Sequence, residues 1–171
     1  MTSSANSVAL AERISSEEFR RVLGYFASGV TIISGFYAGE PVGFACQSFS
    51  ALSIDPPLVS FSVARTSTTW PRIESSGSFC VSILSAEQEK TCRAFAVSGA
   101  DKFAGVKWTP GPATGSPALT GSLAQIDCEI EAVHPGGDHA IVVGRVRAFQ
   151  APETDADPLL FYRSAFSRSV A

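Results

Sequence analysis

The sequence has no excess of basic charge and no long apolar run. Its 13 lysines and arginines are outnumbered by 16 aspartates and glutamates, giving a formal net charge of -3, so a basic surface for nucleic acid is not expected. No apolar stretch approaches the ~20 residues of a transmembrane helix, and the first residues lack the basic start and apolar stretch of a signal peptide. We therefore expect no nucleic-acid or membrane partner, a cytoplasmic location, and poor order over residues 1–14.

Metal-ligand patterns and familiar catalytic motifs are also missing. The four cysteines contain no C-x-x-C pair and the only histidines are His134 and His139, which argues against a zinc knuckle, a redox dithiol or a His-rich metal centre. There is no G-x-G-x-x-G after a predicted strand, no P-loop, no G-x-S-x-G and no H-E-x-x-H. We expect no metal and no catalytic side chain.

The composition that is present suits one folded unit with a few helices. Hydrophobic residues make up 45% of 171 positions, which predicts a single domain over residues 15–171 with a sizeable core. Capping boxes at Ser15 and Ser85 each predict a helix, the first ending by Gly29 and the second near Val97. The first helix has apolar residues at helical spacing, namely Phe19, Val22, Leu23 and Phe26.

Most of the chain has β-strand patterns. Alternation is clearest over 124–132, where Ala124, Ile126, Cys128, Ile130 and Ala132 should face the core and Gln125, Asp127, Glu129 and Glu131 the solvent. Many short antiparallel strands with few helices predict a closed or partly closed β-barrel with helices packed outside. The predicted strands are 30–37, 43–53, 58–64, 78–84, 124–132, 139–149 and 158–163.

The strand 43–53, GFACQSFSALS, has unusually small and polar side chains. Gly43, Ala45 and Cys46 leave space above the backbone, while Gln47 and Ser48 offer hydrogen bonds beside it. A glycine in a strand often marks the close approach of a ligand or of another backbone. A flat polar ligand could lie there, and a barrel corner or a crowded strand crossing is the alternative.

Three further segments are candidate binding elements. The run 65–71, RTSTTWP, has Arg65 and four hydroxyls before a short helix at Pro71, which suits a phosphate or serves as an ordinary helix cap. The turn GGDH contains His139, and Phe161-Tyr162-Arg163 provides an aromatic face and a cation. The loop 98–117 is long enough to suggest a role.

Motifs over nearly the whole chain resemble the flavin reductase family, the small reductase partners of two-component flavin-dependent monooxygenases. These motifs are FRRVLGYFASGVTII, PVGFACQSFSALSIDPPLV, SGSFCVSIL, DKFAG, GSLAQIDCEIEAV, GGDH and PLLFYRSAF, in family order. Within the family the chain looks most like reductases that serve actinobacterial aromatic or steroid-ring hydroxylases. The resemblance implies a flavin-binding split β-barrel with Greek-key topology and a homodimer with flavin sites near the subunit interface.

The resemblance also implies site residues. Three positions depart from the common family pattern: Ala45 and Gln47 stand where many relatives have Thr and Asn, and Ser164 replaces a usual Gly. Residues matching the family's nicotinamide contacts are His139, Phe161, Tyr162 and Arg163. Residues matching its flavin contacts are Gly43, Phe44, Ala45, Cys46, Gln47, Ser48, Ser62, Val63, Ala64, Thr68, Thr69 and Phe95.

The implied activity is NAD(P)H-dependent reduction of FMN or FAD by hydride transfer. Such a reaction needs aligned rings rather than a side-chain nucleophile, and reduced flavin would diffuse to a separate oxygenase. NADH is favoured because no basic cluster suits a 2′-phosphate, whereas the choice of flavin stays open because the barrel contacts the part that both share. The alternatives are a non-catalytic flavin- or haem-binding split-barrel protein and, more distantly, a pyridoxamine-phosphate-type oxidase.

Overall fold

The computed structural model describes residues 14–168 of the chain. The expectation of poor order over 1–14 therefore lies outside the described residues, apart from Ile14. The helices are α1 (Ser16–Leu23), α2 (Trp70–Glu74) and α3 (Glu89–Ala96), the last preceded by a 3-10 turn at Ala86–Gln88. The strands are β1 (Ser28–Gly29), β2 (Thr31–Tyr37), β3 (Glu40–Cys46), β4 (Ser50–Ser53), β5 (Leu58–Ala64), β6 (Ser78–Ile83), β7 (Trp108–Pro110), β8 (Pro117–Leu119), β9 (Ala124–Gly136), β10 (His139–Gln150), β11 (Leu159–Tyr162) and β12 (Ala165–Arg168).

Seven of these strands form one antiparallel sheet in the order β3-β2-β6-β9-β10-β5-β4. The neighbours are often distant in sequence, as a Greek key requires, and the sheet curls into the predicted split barrel. Its two outermost strands, β3 and β4, are consecutive along the chain. Residues 47–49 join them, and this link is called the seam below. Ser48 links the seam to β5, because its hydroxyl donates to the Ser62 carbonyl at 2.9 Å and accepts from the Ser62 N–H at 2.8 Å.

The single strand predicted over 43–53 is thus wrong, since the chain leaves one sheet edge at Cys46 and begins the opposite edge at Ser50. The small residues made the stretch look continuous. What separates the two strands is the side-chain clip at Ser48, which bonds to a strand far away in sequence and gives no local signal.

The core occupies both faces of β2. Ile33 lies in the barrel interior with Phe61, Phe79 and Trp70, whose rings meet edge to face at 5.3 and 5.5 Å. Ile32, one residue earlier, points to the other face, where a second cluster packs under α3. Successive residues of a strand face opposite sides, so the apolar run in β2 serves two cores.

The first helix is shorter than predicted and buries none of its residues within the described chain. Ser15 caps it by accepting from the Glu18 N–H, as the capping box predicts, but it ends at Leu23 with Gly24 as the C-cap. The residues of its apolar face are 53–81% exposed. That face consists of Phe19, Val22 and Leu23 on the helix and is continued by Phe26 just beyond its C-terminus.

The alternation in β9 is broken at Asp127, which is 1% exposed although the pattern predicted a solvent-facing side chain. Residues 111–116 fold over it, and the N–H groups of Ala113 and Thr114 each donate to Oδ2 at 2.8 Å. Gly111 makes this possible, because a Cβ there would lie 2.6 Å from Asp127 Oδ2. The predicted loop 98–117 therefore contains structure: its second half carries β7, which pairs with β8.

A small sheet of β1, β11 and β12 completes the fold. The turn between β11 and β12 puts Arg163 and Ser164 at positive φ, 50° and 63°, a conformation that glycine adopts more readily. In the part of the chain that the structure describes, no helix has the length and apolar character needed to cross a membrane.

Candidate functional site

A cavity of about 480 Å³ opens at the seam, and it is called the seam cavity below. It lies where the end of β3, the end of β5 and the start of β10 meet the 66–69 turn and α3. Eleven of the twelve predicted flavin contacts line it, all except Gly43, and so does His139. Thr66 and Ser67, from the run proposed for a phosphate, also line it, and the residues that the sequence did not indicate as contacts are Ala96, Ser98 and Lys102.

Gly43 is buried beneath α3 rather than open to the cavity. A Cβ at this position would lie 2.8 Å from Phe95 Cε1 and 2.9 Å from the Ile33 carbonyl oxygen. Real Cβ contacts are longer than this, so the crowded crossing that the sequence left open is the reason for the glycine. The small residue lets α3 sit close to β3, and this contact places Phe95 at the cavity wall.

Strand pairing brings His139 to the cavity. Residue 139 begins β10 and lies opposite Ala64, the last residue of β5, so the histidine borders the same space as residues 62–64. Its Nδ1 lies 2.7 Å from Oδ1 of the exposed Asp138. The hydrogen bond and charge of the imidazole lower the pKa of the Asp138 carboxyl, and the contact fixes which ring nitrogen is left for a ligand.

The turn after β5 supplies free hydroxyls at one end of the cavity. The Ser67 hydroxyl accepts from the Trp70 N–H at 3.1 Å, so one member of the run serves as a helix cap. The hydroxyls of Thr66, Thr68 and Thr69 form no hydrogen bond within residues 14–168 and line the cavity. They are available to a phosphate.

The cation beside these hydroxyls is Lys102 rather than Arg65. Arg65 is exposed and does not line the cavity, and its backbone N–H donates to the Asp138 carbonyl at 2.9 Å. Lys102 donates from Nζ to the Gly43 carbonyl at 3.1 Å, and burial lowers the pKa of its ammonium group. The sequence signal was the DKFAG motif within the long loop, but its contact with β3 is not readable from the chain.

Three predicted nicotinamide contacts lie elsewhere in the single chain. Arg163 lines a separate groove with Arg20 and Arg21 of α1, and its guanidinium stacks over Tyr25 at 4.4 Å. Phe161 packs edge to face on Phe166, with the ring centroids 5.3 Å apart. Tyr162 also lies at this turn, so the role of these three residues with a nicotinamide cofactor stays a prediction.

The residues at the seam fit a flavin. The volume falls in the range of about 300–1,000 Å³ that small-molecule sites occupy, and the lining combines the strand end 44–48, Phe95 and free hydroxyls. Cys46 borders the space, but burial raises the pKa of its thiol, so it is not a thiolate nucleophile. The described residues also contain no group of three or more His, Cys, Asp or Glu side chains able to hold a metal ion.

The comparison with known families decides the assignment: the flavin reductase like domain matches residues 23–169. The chain belongs to the flavin reductase family. A relative within this family, the reductase subunit HsaB of a flavin-dependent monooxygenase from Rhodococcus jostii, is 54% identical over 92% of this chain and 80% of its own length.

Solved structures give the same family. The nitrilotriacetate monooxygenase component B homologue from Mycobacterium thermoresistibile is 49% identical, with a TM-score of 0.87 over 95% of this chain and 88% of its own. The NADH:FAD oxidoreductase SgcE6 from Streptomyces globisporus, solved with NAD and FAD fragments, is 34% identical, with a TM-score of 0.84 over 90% and 92% of the two chains.

Proposed function

We propose that the chain is the reductase component of a two-component flavin-dependent monooxygenase. It reduces FAD or FMN with NADH, accepting NADPH less well, as an NAD(P)H:flavin oxidoreductase, and supplies reduced flavin to an oxygenase that acts on aromatic or steroid-ring substrates. The observation that carries the proposal is the seam cavity, which gathers the small-residue strand end, the free hydroxyls and His139 in a chain of this family.

The protein's own groups would bind the flavin and align its ring with the nicotinamide. Backbone groups of 44–48 offer hydrogen bonds to the edge of a flat ring, the hydroxyls of the 66–69 turn hold a phosphate, and Phe95 closes one wall. When bound, the flavin would supply the two-electron acceptor chemistry. His139 lines the same cavity, where it would orient the nicotinamide ring and exclude water.

Reduced flavin is proposed to leave by diffusion. The phosphate end offers hydroxyls and the ammonium of Lys102, a modest set of contacts that suits release. The four cysteines are free and buried, which fits a reducing compartment such as the cytoplasm.

A homodimer is also proposed. The apolar face of α1 is uncovered by the described residues, and an exposed apolar patch of this kind suits a protein interface. Analytical ultracentrifugation tests this directly: a dimer that dissociates when Phe26→Ser and Leu23→Ser are combined supports it. A wild-type chain that sediments as a monomer at micromolar concentration contradicts it.

The activity is tested by following NADH absorbance with purified protein and free FAD or FMN. We expect oxidation well above a protein-free control, faster with NADH than with NADPH. Flavin binding without NADH oxidation would instead favour the non-catalytic binder, and the absence of both would remove the flavin assignment altogether.

His139 offers a sharper test. His139→Ala is expected to raise the KM for NADH or lower turnover by about tenfold while leaving the flavin Kd within about twofold, because the proposed role of the imidazole is to orient the nicotinamide ring rather than to bind the flavin. His134→Ala is the matched control, since His134 lies on the same hairpin but is exposed and does not line the cavity. Equal kinetics for the two variants would remove His139 from the site.

A further inference from the structure

A second cavity of about 290 Å³ adjoins the seam cavity and is called the side cavity below. The two share three lining residues, Thr68, Thr69 and Lys102, so they meet at the hydroxyls and the cation that would hold the phosphate of a flavin. The side cavity continues beyond that point, between α2 and the 99–103 loop. A ligand that ended at its first phosphate would leave this space unused.

The side cavity carries more positive than negative charge. Its lining includes Lys102 and Arg72, and neither forms an ion pair with a carboxylate in the 14–168 region. The one acidic residue in the lining is Asp101, whose Oδ1 accepts from the Phe103 N–H at 3.2 Å within its own loop. Two cations that lack a carboxylate partner, beside free hydroxyls, are the groups that bind a second phosphoryl group.

Each cation has a contact that fixes where its charge lies. Lys102 Nζ donates to the Gly43 carbonyl, at the boundary of the two cavities. Arg72 belongs to α2 and lines the side cavity, and its guanidinium lies 5.7 Å from the centroid of the Tyr37 ring. Burial lowers the pKa of Lys102, and a neighbouring anion would offset that cost.

We propose that the side cavity is the subsite for the second phosphate of a dinucleotide flavin, with Lys102 at the first phosphate and Arg72 at the second. The chain therefore holds FAD more tightly than FMN. This inference rests on the proposed function in taking the seam cavity as the flavin site. NADH has the same pyrophosphate-adenosine chemistry, but the shared hydroxyl boundary places the side cavity in line with the flavin phosphate.

The test is the equilibrium Kd of riboflavin, FMN and FAD, measured by fluorescence titration without NADH. For wild type we expect FAD to bind about fivefold or more tightly than FMN, because one exposed charge contact changes affinity by about that factor. Arg72→Met should weaken FAD about fivefold and leave FMN and riboflavin unchanged. Lys102→Met should weaken both phosphorylated flavins and spare riboflavin, whereas Lys102→Arg should restore most of the loss. Added salt should reduce the FAD preference of wild type but not of Arg72→Met.

The matched control is Lys107→Met, which removes an exposed cation from the same segment but lines neither cavity. Thermal unfolding of each variant checks that the barrel is intact. Wild type that binds FMN as tightly as FAD, or an Arg72→Met variant that keeps the wild-type ratio, would overturn the subsite. An Arg72→Met variant that raises only the KM for NADH would assign the side cavity to the nicotinamide dinucleotide and also overturn it. A chain that binds FAD in this pattern but oxidises no NADH would contradict the proposed function alone.

Discussion

Replacing Gly43 with alanine is expected to destabilise the barrel and to weaken flavin binding together. The added methyl would lie 2.8 Å from Phe95 Cε1 and 2.9 Å from the Ile33 carbonyl, and neither contact is sustainable. The phenylalanine could tilt, but the carbonyl belongs to β2, which is paired on both sides, and cannot move without disturbing the ladder. Overpacking of this kind costs about 2 kcal/mol.

That loss should lower Tm by roughly 4–8 °C for a chain of this length. Because α3 must move away from β3, Phe95 shifts at the cavity wall and the flavin Kd should rise. The assays are thermal or urea unfolding and fluorescence titration. Gly29→Ala is the control, since a Cβ there meets no atom within 4 Å, and it should stay within about 0.5 kcal/mol of wild type.

A double-mutant cycle separates the two contacts. Phe95→Leu shortens the side chain that the methyl added by Gly43→Ala would strike, so the double variant should be more stable than the sum of the single losses by about 1 kcal/mol. It should not return to wild type, because the carbonyl contact remains. A Gly43→Ala protein as stable as Gly29→Ala, or strictly additive losses, would refute the crowded-crossing explanation.

Two further predictions concern buried groups. Asp127→Asn should lower the free energy of unfolding by about 2 kcal/mol, because an amide cannot accept all the donors that the 111–116 segment directs at the carboxylate. The control is Glu129→Gln, at an exposed ion pair on the same strand, which should lower it by no more than about 0.5 kcal/mol; similar losses for both variants would disprove the anchoring role of Asp127. The four thiols should resist an aromatic disulfide reagent at pH 8 in the folded protein and all react in denaturant, since burial raises their pKa values, that of Cys80 to about 12; one fast thiol without denaturant would contradict this.

Local patterns predicted the regular strands well. The strand 58–64 has the predicted bounds and 78–84 differs by one residue, because β-branched residues and flanking turns are signals read within a few positions. The β-barrel class followed from the same patterns, whereas the split barrel with Greek-key topology was implied by the family resemblance. The seam was missed because it depends on one serine bonding to a strand that lies 14 residues ahead in sequence.

The lining of the seam cavity was predicted in part. Family motifs identified most residues around the seam cavity and included Lys102 within DKFAG. They did not place its side chain there, because that position depends on a loop folding back onto β3. They also could not foresee that Asp127 is buried, since its partners lie on a segment that is not periodic. Features that depend on contacts between distant segments carry no local pattern, so sequence reading fails there.

The seam is a place where the barrel can open locally. No strand pairing joins β3 to β4 or β5 in the described chain, so spreading those strands apart breaks the Ser48 clip while the long β9 and β10 ladder keeps its bonds. Local opening of this kind costs less than global unfolding. Exchange of the proposed flavin through this opening would therefore leave the β9–β10 ladder paired.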